Sequence, residues 1–454
     1  MTGTLEQQRR AQASQASNWP HAVGIVALVG VGAWLSSGTL SPLPAVSDLP
    51  LVQEDCHYLV DIDWGHHISP YLMLQGEPEE SWGYSVVLRR ILYPLLSLPF
   101  VIWLGYLVGA LLFNVLMTLT AIFGFGAFVN RRLGRRSALT VMWLLATYPG
   151  AYYAIAMPYA YAAIVPATLV AYMALSLAHE TERITRAVPA ALLLGLTFLA
   201  YDLFPYFLPA LALSQLLRRR ILWAVLLPVI AMLPSVLLVW IYSRAGIPLT
   251  NSNTVTYANI IGSYLAGADL STWWNEVSEL PRALLGSYLF STYFFLPVLA
   301  TVVLVLHRRS RLLNVPEVAL LISIATVFLF NNLAPPYLGW QMRGEWIARL
   351  YQPIFVILLM VVARAAARPH RTLPTLVAAT AVLNFAVVLT PSLGLPILDQ
   401  VQARYYLTAP AQTLDDNLDA WGRRPLGFCQ RTHEGDELQR SRGVYQRPEY
   451  MYRE

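Results

Sequence analysis

The stretch that decides the fold lies between Leu51 and Pro99. It reads QEDCHYLVDIDWGHHISPY at 53–71 and EPEESWGYSVVLRRILYPLLSLP at 77–99. Its first part is acidic with adjacent histidines, and its end is an arginine pair before an apolar, proline-bearing run. Most of the sequence beyond it falls in apolar blocks of roughly 18–25 residues, the length that crosses about 30 Å of hydrocarbon. The stretch is therefore a polar island in a chain typical of membrane proteins.

The composition of the whole chain excludes an ordinary soluble domain. Of 454 residues, 56% are hydrophobic and 13% are charged, whereas charged residues make up about 25% of soluble domains. All 31 basic residues are arginine. The net charge of +5 does not indicate nucleic-acid binding, because the arginines form short clusters between apolar blocks. The composition predicts an all-α polytopic membrane protein.

The apolar blocks predict about eleven transmembrane helices. They are expected at 21–40, at 99–129, twice within 137–178, twice within 189–217, and at 221–242, 289–306, 315–330, 354–367 and 373–395. The two double blocks are divided by TYPGAYYAIAMPYAY and by YDLFPYFLP. Residues 1–395 then form one transmembrane domain whose first outer loop, 41–98, carries short helices. Residues 396–454 form a tail on the outer face.

Positive charge in the short loops predicts the orientation of these spans. With the N-terminus inside, one side receives all the arginine-rich segments: RRLGRR, HETERITR, RRR, HRRSR and RPHR. The positive-inside rule makes that side cytoplasmic. The first loop, the segments 243–288 and 331–353, and the tail then share the outer face. No signal peptide is expected, because the first apolar run lacks a convincing cleavage site.

The two cysteines, Cys56 and Cys429, both fall on the predicted outer face. In an oxidising compartment, a disulfide between them would hold the tail over the first loop. A disulfide also requires Cα atoms within about 7 Å, which the sequence does not give. A disulfide and two buried free thiols are both compatible with the sequence.

Asp61 and Asp63 in VDIDWGHH are candidates for chemistry. In an extended segment their side chains point the same way, whereas in a helix they lie about 200° apart. A carboxylate near apolar walls can act as a general base, and two neighbouring carboxylates can bind a divalent ion. A solvated acidic loop is the alternative. His66 and His67 can bind phosphate or orient the aspartates, and they do not form a zinc signature.

Other candidates lie where the chain enters or breaks the membrane. Arginine can bind a phosphate bidentately or anchor at lipid headgroups, and both roles are open for Arg89 and Arg90 before ILYPLL. The same choice applies to three residues around GEWIARLYQP, namely Arg343, Arg349 and Tyr351. Asp202 lies in the break YDLFPYF. If Asp202 lies inside a span, its charge indicates a functional residue. If the break lies at the outer surface, it is a turn at the level of the lipid headgroups.

The order and sidedness of these segments resemble the GT-C superfamily of membrane glycosyltransferases. The resemblance extends over most of residues 20–370 and is carried by five stretches: VDIDWGHH with Asp61, RRILYPLL at 89–96, YPG at 148–150, AYDLFPYFLPALAL with Asp202, and ARLYQP at 348–353. Walker A, Rossmann, nucleophile-elbow and HExxH motifs are absent from the sequence, so nucleotide hydrolysis and zinc proteolysis have no support.

The resemblance implies an inverting glycosyltransferase of the bacterial inner membrane. Its donor would be a polyprenyl-phosphate sugar and its acceptor a glycolipid, polysaccharide or protein at the periplasmic face. Asp61 would remove the acceptor proton, and Asp63 would assist or hold a divalent cation (Mg or Mn) if one is used. Substrate and phosphate contacts would come from Arg89, Arg90, Asp202, Arg343, Arg349, Tyr351, His66 and His67. No other cofactor is required.

Two other functional classes remain as alternatives. A transporter or flippase of lipid-linked glycans needs polar residues along a path through the bundle. The predicted spans offer few beyond Asn114, Ser214 and Gln215. A non-catalytic membrane scaffold with a GT-C-like fold would tolerate changes at Asp61 and Arg349.

Overall fold

The computed structural model describes residues 19–39, 73–74, 90–104, 106–156, 160–247, 295–307, 312–333, 352–368 and 370–393. Within these residues the chain is helical throughout, with thirteen α-helices and no strand. In chain order they are α1 Trp19–Thr39, α2 Leu92–Leu104, α3 Tyr106–Leu133, α4 Arg135–Ala146, α5 Pro149–Ala156, α6 Ile164–Glu180, α7 Ile184–Phe198, α8 Phe204–Leu216, α9 Ile221–Arg244, α10 Leu296–Leu306, α11 Val315–Leu333, α12 Pro353–Ala366 and α13 Leu373–Leu393. A 3-10 helix, Ala160–Ala163, precedes α6.

Two of these helices are long and apolar enough to cross a membrane, namely Val108–Leu133 within α3 and the whole of α9. Eight shorter apolar helices accompany them among the described residues. Helix α9 exposes large apolar side chains along its length, including Ile221 at 71%, Leu222 at 74% and Val225 at 64%. The structure is that of a helical protein with membrane-compatible surfaces, and the count of eleven spans stays a prediction.

The region predicted as one span over 99–129 differs from the structure. Helix α2 begins at Leu92 and ends at Leu104, and α3 then packs against it. The rings of Tyr93 and Phe113 lie 5.6 Å apart, and a Cβ at Gly109 would lie 2.3 Å from the Phe100 carbonyl oxygen. Early residues of α2 thus contact later residues of α3, so the two helices form an antiparallel hairpin.

Five interhelical turns lie at one end of the bundle, which we call the basic end: α3–α4, α6–α7, α8–α9, α10–α11 and α12–α13. Arg132 Nη2 lies 2.5 Å from Glu180 Oε2 and joins α3 to α6. Arg220 donates to the Thr181 carbonyl at 2.6 Å and joins the α8–α9 turn to the α6–α7 turn. The rings of His307 and His370 lie 5.3 Å apart and join the other two turns.

A buried ion pair links these turns to one another. Glu317, in the first turn of α11, is fully buried, and its Oε1 accepts from Arg364 Nη2 of α12 at 2.5 Å. Tyr172 of α6 also donates to Glu317. The second carboxylate oxygen accepts the Asn314 amide at 2.7 Å, which satisfies one of the amides that a helix N-terminus leaves unpaired. One carboxylate thus joins α6, α11 and α12.

Candidate functional site

The candidate site is built on the break between α7 and α8. The chain turns at 199–203, where the Tyr201 amide donates to the Thr197 carbonyl at 3.0 Å and the Phe207 amide donates to the Leu203 carbonyl at 3.1 Å. Pro205 lies in the first turn of α8, where proline is tolerated because the amides of the first turn have no partner within the helix. Because proline lacks an amide proton and would interrupt a helix, α7 cannot continue through this position into α8. This turn places Asp202 at the end of the bundle away from the basic end.

Arg90 and Asp202 meet at this turn although they lie 112 residues apart in the sequence. Both Arg90 Nη2, at 2.5 Å, and Nε, at 3.1 Å, donate to Asp202 Oδ2. The side chains are 12% and 17% exposed. The guanidinium also lies over the Tyr201 ring, 4.5 Å from its centroid, a cation–π arrangement. The ion pair and the ring hold the Arg90 guanidinium in one position.

Backbone contacts fix the approach of the chain to this pair. The Leu92 amide donates to the Leu199 carbonyl at 3.0 Å, so the start of α2 is attached to the end of α7. At the next residue, the Tyr93 hydroxyl donates to Asn114 Oδ1 at 2.8 Å, and Asn114 Nδ2 donates to the Ile155 carbonyl at 3.0 Å. Since Asn114 is fully buried, these bonds join α2, α3 and α5 beneath the candidate site.

The start of α12 lies at the same end of the bundle. Phe355 stacks on Tyr148 with ring centroids 4.1 Å apart, which brings the segment after ARLYQP against the YPG turn. Gln352, the residue that follows Tyr351, is buried. The start of α12 thus lies against the YPG turn, and Asn114 joins α2 to α5, the helix that follows that turn.

Most of the predicted site residues lie outside the described part of the chain. These are Cys56, Asp61, Asp63, His66, His67, Arg89, Arg343, Arg349, Tyr351 and Cys429. Their roles stay predictions. Within the described residues, no group of three or more His, Cys, Asp or Glu side chains is placed to hold a metal ion.

Sequence reasoning missed two charged residues that the structure pairs, Glu317 and Arg364. Both were counted as ordinary residues of apolar spans. The signal was present, since a lone charge within an apolar segment usually has a buried partner. The pair lies at the basic end, and Glu317 accepts hydrogen bonds from three donors: Arg364, Tyr172 and the Asn314 amide. The pair therefore has a role in helix packing.

Comparisons with known proteins assign no family. No family model matches the sequence, and no curated protein matches it. Among solved structures, the chain is similar to the crystal structure of the Archaeoglobus fulgidus oligosaccharyltransferase complexed with zinc and sulfate. The two share 14% identity with a TM-score of 0.37, over 94% of this chain and 58% of that one. The chain thus spans a little over half the length of that structure, and a similarity at this level assigns neither a fold nor a function.

Proposed function

We propose that the protein is an integral membrane glycosyltransferase that moves a sugar from a polyprenyl-phosphate donor to an acceptor at the periplasmic face of a bacterial inner membrane. The observation that carries the proposal is the pairing of Arg90 with Asp202. Two residues that the sequence marks independently meet where the acidic first loop joins α2.

The surface of the bundle supports insertion into a membrane. Helix α9 exposes a series of large apolar side chains, among them Leu222 and Val225. Contiguous apolar surface of this kind is unfavourable in water and is typical of lipid-facing helices. With the arginine-rich basic end in the cytoplasm, the Arg90–Asp202 pair faces the periplasmic side, together with the first loop.

In this proposal, the transfer is a single displacement at the anomeric carbon. The acceptor oxygen forms a bond to that carbon while the bond to the phosphate oxygen breaks, and the lipid phosphate leaves with the electron pair. Asp61 takes the acceptor proton, with Asp63 beside it to assist or to hold a divalent cation (Mg or Mn). Arginine side chains stabilise the charge on the departing phosphate. His66 and His67 complete the loop side of the site.

Arg90 is proposed as one of the phosphate-binding arginines, together with Arg89, Arg343 and Arg349, with Tyr351 next to them. Asp202 has a different part, because a carboxylate repels a phosphate. It acts through Arg90 by fixing the orientation of the guanidinium, so Asp202 is a positioning residue. We therefore expect Asp202 to affect donor binding only through the orientation of the Arg90 guanidinium.

Three polar residues singled out in the predicted spans are engaged in helix packing, which favours a transferase over a transporter. Asn114, Ser214 and Gln215 are fully buried, and each donates to a backbone carbonyl, of Ile155, Leu211 and Ala178 respectively. Side chains engaged in helix packing do not form a polar path through a membrane. A transporter or flippase is the second candidate, and a sealed-liposome flux assay would detect it.

The proposal is tested by incubating the purified protein with a panel of polyprenyl-phosphate sugars and following release of the lipid phosphate. We expect release with at least one donor and its loss in Asp61→Ala, by at least a hundredfold, since general-base catalysis typically contributes about 10²–10⁴ in rate.

The matched control is Glu79→Ala, which removes an acid of EPEE at 77–80, in the same loop as Asp61 but 18 residues further along the chain. We expect this variant to retain activity. If Asp61→Ala works within a few-fold of the unchanged protein, the assignment of Asp61 fails. Flux without release of lipid phosphate would favour the transporter.

A further inference from the structure

A second site lies away from the Arg90–Asp202 pair. A groove of about 910 Å³ runs between α1, α4 and α13. Its walls are mainly apolar and include Leu28, Leu139, Val377 and Phe385. Along α13 the lining extends from Leu373 to Ala386, which at 1.5 Å per residue is about 20 Å. This length is comparable to that of one acyl chain in a membrane leaflet, about half of a 30 Å hydrocarbon core.

The groove has charge at one end. Arg136, Arg368 and His370 line it where it reaches the basic end of the bundle. Arg136 and Arg368 are exposed, so their guanidinium groups are accessible to a ligand. A groove that is apolar along its length and positively charged at one end matches a molecule with an anionic head and a hydrocarbon tail.

Two polar side chains on the apolar walls, Trp143 and Thr147, are engaged within the protein. Trp143 Nε1 donates to His21 Nδ1 at 3.3 Å, and the Thr147 hydroxyl donates to the Trp143 carbonyl at 2.8 Å. With these donors occupied, the wall beside the groove presents mainly carbon to an occupant. The walls therefore favour hydrocarbon, and the arginine end favours an anion.

We propose that this groove binds an anionic phospholipid of the cytoplasmic leaflet, with an acyl chain along α13 and the phosphate at Arg136 and Arg368. The inference uses the membrane orientation proposed above and is independent of the transfer reaction. It places the lipid phosphate at the end of the bundle opposite the candidate donor site, with the acyl chain extending from there along α13. The positive charge of Arg136 and Arg368 favours an anionic lipid over a neutral one.

The test is lipid retention by the purified full-length protein, measured by native mass spectrometry after addition of phosphatidylglycerol or phosphatidylcholine. We expect phosphatidylglycerol to be retained in preference to phosphatidylcholine. The double variant Arg136→Ala/Arg368→Ala should lower retention of phosphatidylglycerol roughly tenfold. Ala378→Phe, which fills the groove without removing charge, should lower retention of both lipids.

The matched control is Arg183→Ala/Arg186→Ala. These arginines are exposed at the same end of the bundle but do not line the groove. An equal loss in this control, or equal retention of the two lipids by the unchanged protein, would overturn the proposal.

A photoactivatable phosphatidylglycerol locates the lipid independently of any substitution. We expect labelled peptides from 139–147 and 373–386. Labelling confined to other helices, or protection of the groove by the protein's own terminal segments, would contradict the proposal. None of these readouts depends on sugar transfer, so a failed transferase assay leaves the inference standing, and the reverse also holds.

Discussion

Glu317 is the least exposed charged side chain in the described part of the chain, and it pairs with Arg364. Removing one member of a buried ion pair leaves an uncompensated charge and costs about 3–5 kcal/mol. We therefore expect Glu317→Gln to lower the free energy of unfolding by this amount, measured by denaturant titration in detergent micelles. The second variant, Glu317→Leu/Arg364→Met, removes both charges and should recover most of the loss.

The control for this prediction is the exposed pair of the same type, Arg132 with Glu180. Glu180 is 52% exposed on its side chain, and exposed pairs contribute about 0–1 kcal/mol. Glu180→Gln should therefore change the unfolding free energy by less than about 1 kcal/mol. Equal effects at the two glutamates would mean that burial of Glu317 is not the cause.

Arg90 and Asp202 should be energetically coupled. Hydrogen bonds to charged groups contribute about 1.5–3 kcal/mol, and here two nitrogens of Arg90 share one oxygen of Asp202. In a double-mutant cycle of Arg90→Ala, Asp202→Ala and the double variant, we expect a coupling of about 1–3 kcal/mol in the unfolding free energy. Additive effects would show that the pair does not form in the folded protein.

His307 predicts a dependence of stability on pH. Partial burial, the charge of His370 and that of Arg368 lower the pKa of His307 below its usual value of about 6.5. As the pH falls through about 6.5, His307 binds a proton in the unfolded chain but not yet in the folded chain. Stability is therefore lost on acidification. His307→Gln should flatten the slope of unfolding free energy against pH between about 5 and 7; an unchanged slope would exclude His307.

At the level of single residues, the sequence singled out Arg90 and Asp202 but not their pairing. Arg90 and Asp202 stood out because a charge next to an apolar run is unusual. Their pairing depends on tertiary contacts across 112 residues, for which a sequence carries no local signal. Glu317 and Arg364 were missed because each is a lone charge in an otherwise apolar segment and hydropathy averages it away.

At the level of helices, close backbone approaches depend on glycine. A Cβ at Gly195 of α7 would lie 2.0 Å from the Ala231 carbonyl oxygen of α9, so these backbones pack more closely than any side chain permits. We expect Gly195→Ala to separate the helices and to lower the unfolding free energy by about 1–3 kcal/mol, the usual cost of overpacking. Thermal unfolding in detergent measures the change.

Gly124 of α3 is the matched control, because a Cβ there would meet no atom within 4 Å. Alanine has the higher helix propensity by about 1 kcal/mol. Gly124→Ala should thus be neutral or slightly stabilising. Destabilisation of similar size at both positions would indicate that helix packing at Gly195 is not responsible.

Helix boundaries were predictable where a charged or proline-rich break interrupts the apolar run. The ends of α1, α9, α12 and α13 lie within a few residues of the predicted ends. The α2–α3 hairpin was not predicted, since 92–133 is apolar on both sides of its turn and hydropathy does not record a reversal of direction. The glycine at 109, which permits the close approach to Phe100, is the signal that was overlooked.

At the level of the whole molecule, the bundle has two chemically different ends, and both the distribution of charge and the contacts between turns distinguish them. The arginine-rich turns meet through contacts such as Arg132 with Glu180 and Arg220 with Thr181. Arg90 and Asp202, two of the predicted substrate-binding residues, pair at the other end. The sequence indicates this separation through the positions of its arginines. The structure adds the contacts that bring distant turns together.

This separation predicts how the protein lies in a membrane. In a variant with both native cysteines replaced by serine, a cysteine at exposed Glu182 reports on the basic end, and a cysteine at Ser271 reports on the predicted outer segment. With a membrane-impermeant maleimide and intact spheroplasts, we expect labelling at 271 but not at 182, because positive turns stay in the cytoplasm. Permeabilised membranes should label both positions. Labelling at 182 in intact spheroplasts would reverse the orientation, and with it the assignment of the groove to the cytoplasmic leaflet and of the Arg90–Asp202 pair to the periplasm.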